Sequence, residues 1–129
     1  MKKLLIAAAG AVIMSAVAVA ADPVVGVWQT EPDDGAYAHV KFAPCGNAYC
    51  GKIVRTFNDS GEYKSPNIGK TLFIDMVPQG DGTYKGSAWR PSNGKIYNGS
   101  MSLSGKTLKA GGCVAGGLIC IKNKLVRIK

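Results

Sequence analysis

From residue 22 onward, apolar and polar positions alternate in short runs, and no segment keeps a helical period for three turns. The pattern predicts strands over residues 24–31, 36–42, 51–57, 71–77, 83–90, 95–103, 107–113 and 118–127. In the second of these, Ala38, Val40 and Phe42 can face inward while His39 and Lys41 face out; in the third, Ile53 stands between Lys52 and the pair Val54-Arg55. Turn-forming clusters separate the runs, among them Pro32-Asp33-Asp34-Gly35, Asn58-Asp59-Ser60-Gly61, Gly80-Asp81-Gly82 and Pro91-Ser92-Asn93-Gly94. Most connections are short enough to be hairpins, which predicts an up-and-down antiparallel order, with residues 58–70 as the longest link. The fold class is therefore all-β. About eight short strands suit a small closed barrel, because closure leaves no sheet edge exposed. An immunoglobulin sandwich would place a Trp soon after the first Cys, whereas Trp89 stands 44 residues beyond Cys45.

Residues 1–21 follow another pattern: Lys2 and Lys3, an apolar run over residues 4–19, and the small-residue site Ala18-Val19-Ala20-Ala21. This reads as a secretory signal peptide cleaved near Ala20 or Ala21, with residues 22–129 as the mature domain and a periplasmic or secreted destination. The run is shorter than the roughly 20 apolar residues of a spanning helix and is broken by Gly10 and Ser15, so no transmembrane segment is expected after cleavage. No Cys stands at the junction to take a lipid. Removing 21 residues from 129 leaves 108, a size at which a hydrophobic core alone is marginal and cross-links help.

Four cysteines answer that need. Cys45 and Cys50 bracket the turn Gly46-Asn47-Ala48-Tyr49, and Cys113 and Cys120 bracket a segment containing Gly116-Gly117. Four Cys allow three connectivities. The favoured one is Cys45–Cys50 with Cys113–Cys120, each pair bridging its own hairpin, because opposed residues in a non-hydrogen-bonded antiparallel pair lie about 4.5 Å apart at Cα, within reach of a disulfide. Neither spacing is C-x-x-C, and export favours structural disulfides over redox or metal chemistry.

Catalytic chemistry finds little support. His39 is the single histidine, on an outward strand position with no triad partner that spacing identifies. Ser87, Ser100 and Ser102 lie in no nucleophile-elbow context. Asp33-Asp34 and Asp75 read as turn and surface charges, and Gly80-Asp81-Gly82 lacks the further ligands of a calcium loop and the Lys-Ser/Thr of a phosphate loop. No catalytic residue, metal site or cofactor is expected.

Several segments then carry a resemblance: Gly26-Val27-Trp28 at the first strand, residues 44–54 from Pro44-Cys45-Gly46-Asn47 through Cys50-Gly51-Lys52, residues 89–97 from Trp89-Arg90-Pro91 to Ile96-Tyr97, Met101-Ser102-Leu103-Ser104-Gly105, and Gly112-Cys113-Val114. Together they resemble the exported bacterial family DUF2147 over nearly all of the mature chain. The resemblance implies a lipocalin-like (calycin) β-barrel in the bacterial envelope, with no settled activity. Gly26-Val27-Trp28 is also similar to the lipocalin G-x-W signature, whose Trp plugs the closed end under a basic residue from the last strand. Arg127 stands where that partner would be, and Gly26 leaves room for the crossing backbone. The chain departs from the family pattern at Leu125-Val126, where many relatives carry an aromatic residue, at Arg90, where relatives carry Asp or Asn, and in its short residue 58–70 link.

An eight-stranded barrel is just wide enough to be filled by side chains or to hold one small ligand. Val40, Phe42, Ile53, Trp89, Tyr97 and Met101 are the residues placed to line such an interior, as core or as ligand-binding pocket. The 16 Lys and Arg against 8 Asp and Glu are spread over almost every strand and turn, a solvated basic surface that also suits an anionic envelope surface. The expectation is an exported, non-enzymatic barrel that binds a small apolar or amphipathic ligand. The alternative is a filled barrel acting as an envelope interaction module, its basic surface facing anionic lipid, polysaccharide or a protein partner. Nucleic acid is not an expected partner, and the sequence leaves the oligomeric state open.

Overall fold

A computed structural model of the protein describes residues 22–129. The expected signal peptide, residues 1–21, lies outside the described residues. Turns rich in Gly, Asn and Asp divide the chain into nine strands: β1 (Gly26–Thr30), β2 (Tyr37–Cys45), β3 (Ala48–Asn58), β4 (Gly61–Tyr63), β5 (Thr71–Pro78), β6 (Thr83–Arg90), β7 (Lys95–Ser104), β8 (Thr107–Val114) and β9 (Ile119–Arg127). All pairings are antiparallel. The order β2-β1-β9-β8-β7-β6-β5-β3 closes through a β2–β3 pairing, giving the eight-stranded up-and-down barrel that the alternation predicts.

The ninth strand is an addition. β4 pairs with the far end of β3 through Thr56–Tyr63, Phe57–Glu62 and Asn58–Gly61, so the segment expected to be one long link begins as a hairpin. Thr56 is buried and its hydroxyl donates to the Tyr63 carbonyl, while Arg55 and Glu62 form a bidentate ion pair on the outer face. The link then returns to β5 through bonds between Ile53 and residues 69 and 70.

Alternation along each strand sends one set of side chains inward. Val24, Trp28, Val40, Phe42, Met76, Met101, Leu108 and Leu125 are fully buried, with Phe73, Tyr84, Ala88 and Ala110 packed against them. Each large apolar side chain removed from water contributes roughly 1.5–3 kcal/mol. Bulges adjust the wall: the β2–β3 register slips between His39 and Val40, and β5 carries an extra residue where Asp75 adopts φ +50°. A row of three glycines, Gly86, Gly99 and Gly112, runs in register across β6, β7 and β8. A Cβ at Gly86 would lie 2.5 Å from the Asp75 and Ile74 carbonyl oxygens, so the bulged strand packs where only hydrogen fits.

One end of the barrel is sealed. The Arg127 guanidinium lies over the Trp28 ring, 4.5 Å from its centroid, and donates to the carbonyls of Val25 and Pro23. Trp28 Nε1 donates to the Val24 carbonyl at 2.9 Å. Gly26, at φ +143°, passes so close that a Cβ would meet Arg127 Nη1 and the Lys129 carbonyl at 2.5 Å. Trp28 and Arg127 are direct cross-strand partners, so Leu125-Val126 in place of an aromatic residue leaves the expected plug register unchanged.

The disulfides are Cys45–Cys50 and Cys113–Cys120. Only the second joins opposed residues: Cys113 faces Cys120, with Cα atoms 4.0 Å apart. The first is diagonal. Cys45 opposes Ala48, Cys50 opposes Ala43, and the Cα atoms are 5.8 Å apart, because the hairpin turns over two residues, Gly46-Asn47, rather than the four that the spacing suggests.

Candidate ligand-binding cavity

The end opposite the Trp28 plug is open. Inward positions near the top of β6, β8 and β9 hold small or polar residues, Ala88, Ala110, Gly112 and Asn123, where strands lower in the barrel hold Tyr84, Leu108 and Leu125. The result is a cavity of about 780 Å³, within the ordinary range for small-molecule sites. Its floor is Phe73, Ala88, Ala110 and Leu125; Tyr97, Gly112, Val114, Ile121 and Asn123 form one wall, and Thr30, Glu31, Asp33, Asn67, Arg90 and Ser92 stand around the mouth. An apolar floor beneath a polar mouth fits a molecule with an apolar body and a polar end.

The six residues placed to line an interior are divided by depth. Val40, Phe42 and Met101 are fully buried in the core beneath the cavity, and Phe42 stacks on Phe73 with ring centroids 5.6 Å apart. Ile53 is buried opposite Val40 and does not line the cavity. Tyr97 lines the cavity directly. Trp89 borders it too, yet strand alternation gives the inward position to its neighbour Ala88, and the Lys70 ammonium lies 5.7 Å from the Trp89 ring centroid. The lower interior is thus filled and the upper interior is open, so the two readings of the barrel apply to different halves.

The polar groups at the mouth are arranged individually. Tyr97 accepts a hydrogen bond from Asn93 Nδ2 at 2.9 Å. That bond, with help from the nearby Arg90, holds the phenol below its usual pKa against the opposing pull of burial. Glu31 is engaged by the Lys124 backbone N–H at 2.7 Å. Thr30 Oγ1 accepts from the Ala38 N–H at 2.9 Å.

The rest of the surface offers less chemistry. His39 bonds Gln29 at 3.0 Å and packs on Phe57. Desolvation, then the Arg55 charge, lowers its pKa, against a smaller upward pull from Glu62. Among the described residues, the group of potential metal ligands is Cys45, Cys50 and Asp75. Both sulfurs are committed to a disulfide, with an Asp75 carboxylate oxygen 3.8 and 3.7 Å from them. A second depression, about 430 Å³, lies beside Cys113–Cys120 and is lined by Lys85, Asn98, Ser100 and glycines, without an apolar floor. No described helix is long and apolar enough to cross a membrane.

The interior residues singled out from the sequence omit the large core side chains Phe73, Met76, Tyr84, Leu108 and Leu125 as well as the small residues that create the space. The signal was present in Ala88, Ala110, Gly112 and Asn123, each two or four residues from a large apolar residue on the same strand face.

A closed eight-stranded barrel, plugged at one end by an Arg-covered Trp and open over an apolar floor at the other, defines a lipocalin-like protein. The chain belongs to the family described as "Uncharacterized protein conserved in bacteria (DUF2147)", which matches residues 26–127. Among solved structures it is similar to protein HP1028 from the human pathogen Helicobacter pylori, described as belonging to the lipocalin family, at 15% identity over 82% of this chain and 83% of that one, with a TM-score of 0.65. At that identity the likeness establishes the fold. No curated protein matches the chain.

Proposed function

We propose that this protein is an exported, non-enzymatic carrier that holds one small amphipathic molecule in the open half of its barrel. The observation that carries this reading is the cavity: about 780 Å³, floored by Phe73, Ala88, Ala110 and Leu125 and rimmed by Arg90, Asn67 and Ser92. Burial of the ligand's apolar body supplies about 25 cal/mol per Å² removed from water, and the rim groups orient its polar end. Two disulfides support an oxidising compartment, periplasmic or extracellular, in keeping with the leader-like residues 1–21.

The test compares native with denaturing mass spectra of the protein purified from a periplasmic extract, followed by titration with parinaric acid. The carrier reading expects a stoichiometric extra mass lost on denaturation, or saturable fluorescence enhancement at one site, and Ala110→Phe, which places a ring over the floor, removes either signal. Absence of any retained mass together with a flat titration would overturn it in favour of the filled-barrel interaction module.

A further inference from the structure

We propose that the tip of the β8–β9 hairpin is a docking lip that sets the open mouth of the barrel against an anionic phospholipid bilayer. The proposal rests on the carrier reading for its purpose, but its contact surface lies outside the cavity floor and can be tested separately.

The hairpin rises past the packed core. Leu118 is 88% exposed, Ile121 69%, Ile119 58% and Val114 46%, and Ile96 on the adjoining strand is 64% exposed. Residues 110–121 contain no charged side chain, while Lys122 and Lys124 follow directly and Lys95 precedes Ile96. An apolar tip flanked by cations matches the layering of a bilayer surface, with acyl chains beneath a band of anionic headgroups.

The lip is also held in place. Cys113–Cys120 bridges the two strands immediately below the tip, where Val114 and Ile119 form the last cross-strand pair. Covalent closure keeps the apolar residues projecting without help from a core, so less ordering remains to be done on contact. Val114 and Ile121 belong both to the lip and to the cavity wall. A ligand leaving a bilayer at this point would pass from membrane to cavity along continuous apolar surface.

Charge argues for a bilayer over a second copy of the chain. The formal charge is +8 over residues 1–129 and +6 over residues 22–129, without Lys2 and Lys3, and pairing two tips would bring Lys95, Lys122 and Lys124 of both copies together. The acidic groups of this end stand on the other side of the mouth: Glu31, Asp33 and Asp34 on the β1–β2 connection, with Glu31 already bonded to the Lys124 backbone, and Asp59 and Glu62 in the β3–β4 hairpin, with Glu62 paired to Arg55. Docking therefore leans on the β7–β9 side of the mouth.

The experiment is flotation of the disulfide-bonded protein with vesicles of phosphatidylethanolamine and phosphatidylglycerol, against vesicles of phosphatidylcholine alone. The proposal expects binding to the anionic vesicles that weakens with salt, a roughly tenfold loss in Leu118→Ser/Ile119→Ser, and a flatter salt dependence in Lys122→Ala/Lys124→Ala. Both pairs are exposed, and unchanged circular dichroism verifies their folds. Ala110→Phe should dock like the parent while losing parinaric acid, which separates failure of the lip from failure of the carrier reading. Binding that ignores phosphatidylglycerol, or a tip variant that floats like the parent, overturns the proposal. So does self-association that disappears in the tip variant while vesicles capture neither form.

Discussion

The Arg127 guanidinium lies over the Trp28 ring at 4.5 Å while its N–H groups bond the Val25 and Pro23 carbonyls. One side chain thereby ties the last strand, the first strand and the segment leading into the barrel. Replacing Arg127 with Ala removes the ring contact and leaves the carbonyls to water, an expected loss of about 1–3 kcal/mol in urea unfolding. Arg127→Lys should recover less than half of that loss, because an ammonium cannot stack as a plane and bond two carbonyls in the same geometry. Full recovery by Lys would show that charge alone accounts for the contact.

Gly86 should tolerate no side chain. A Cβ there meets two backbone oxygens of the β5 bulge at 2.5 Å, and neither is the end of a flexible side chain that could swing away. Gly86→Ala is expected to cost about 1–3 kcal/mol, the usual penalty for overpacking. Gly94, by contrast, has open space around its Cβ position but sits at φ +71°, so Gly94→Ala should cost only about 1 kcal/mol of backbone strain. Thermal unfolding of the two variants side by side checks the order.

The strands were legible where a large buried apolar residue stands between polar neighbours, as Val40 does between His39 and Lys41, Met101 between Ser100 and Ser102, and Leu108 between Thr107 and Lys109. β4 escaped because Gly61-Glu62-Tyr63 is three exposed residues with no alternation to read; it exists through pairing with β3. Most of the lining of the expected cavity, beyond Tyr97 and the bordering Trp89, escaped for a related reason. A space is marked by residues that fail to fill it, and Ala88 or Gly112 on a strand looks like weak β-propensity until the register shows which large neighbours are missing. Trp89 drew attention by size, although strand parity turns the interior over to Ala88 beside it.

His39 should titrate below its usual value of about 6.5, because desolvation and then the Arg55 charge disfavour its imidazolium. As the single histidine it gives one set of ring signals by NMR. Glu62 pulls the other way, so Glu62→Gln is expected to lower the titration midpoint further. Linkage fixes the sign for stability. Between the unfolded value and the lower folded value the unfolded chain binds more protons, so stability falls as pH drops below about 6.5 and levels off once the folded imidazole also protonates. His39→Gln should flatten that part of the unfolding-temperature profile, and an unchanged slope would place the acid sensitivity elsewhere.

The two disulfides should separate stability from lip order. Both close short loops, with sequence separations of 5 and 7, so each is expected to contribute about 2 kcal/mol through the unfolded state, and the loss should be similar for Cys45→Ser/Cys50→Ser and Cys113→Ser/Cys120→Ser. Their local effects should differ. Cys45–Cys50 lies beside a two-residue turn at the sealed end, where Phe42 and Ala48 are buried and hold the hairpin without it. Cys113–Cys120 lies beneath exposed residues, and above it only the Val114–Ile119 pair joins the strands. Hydrogen exchange in the amides of residues 114–121 should therefore accelerate in the second variant well beyond its global loss, and remain near that global loss in the first. Equal acceleration in both would mean that the lip is held by its turn rather than by its disulfide, and vesicle binding should then survive removal of Cys113 and Cys120.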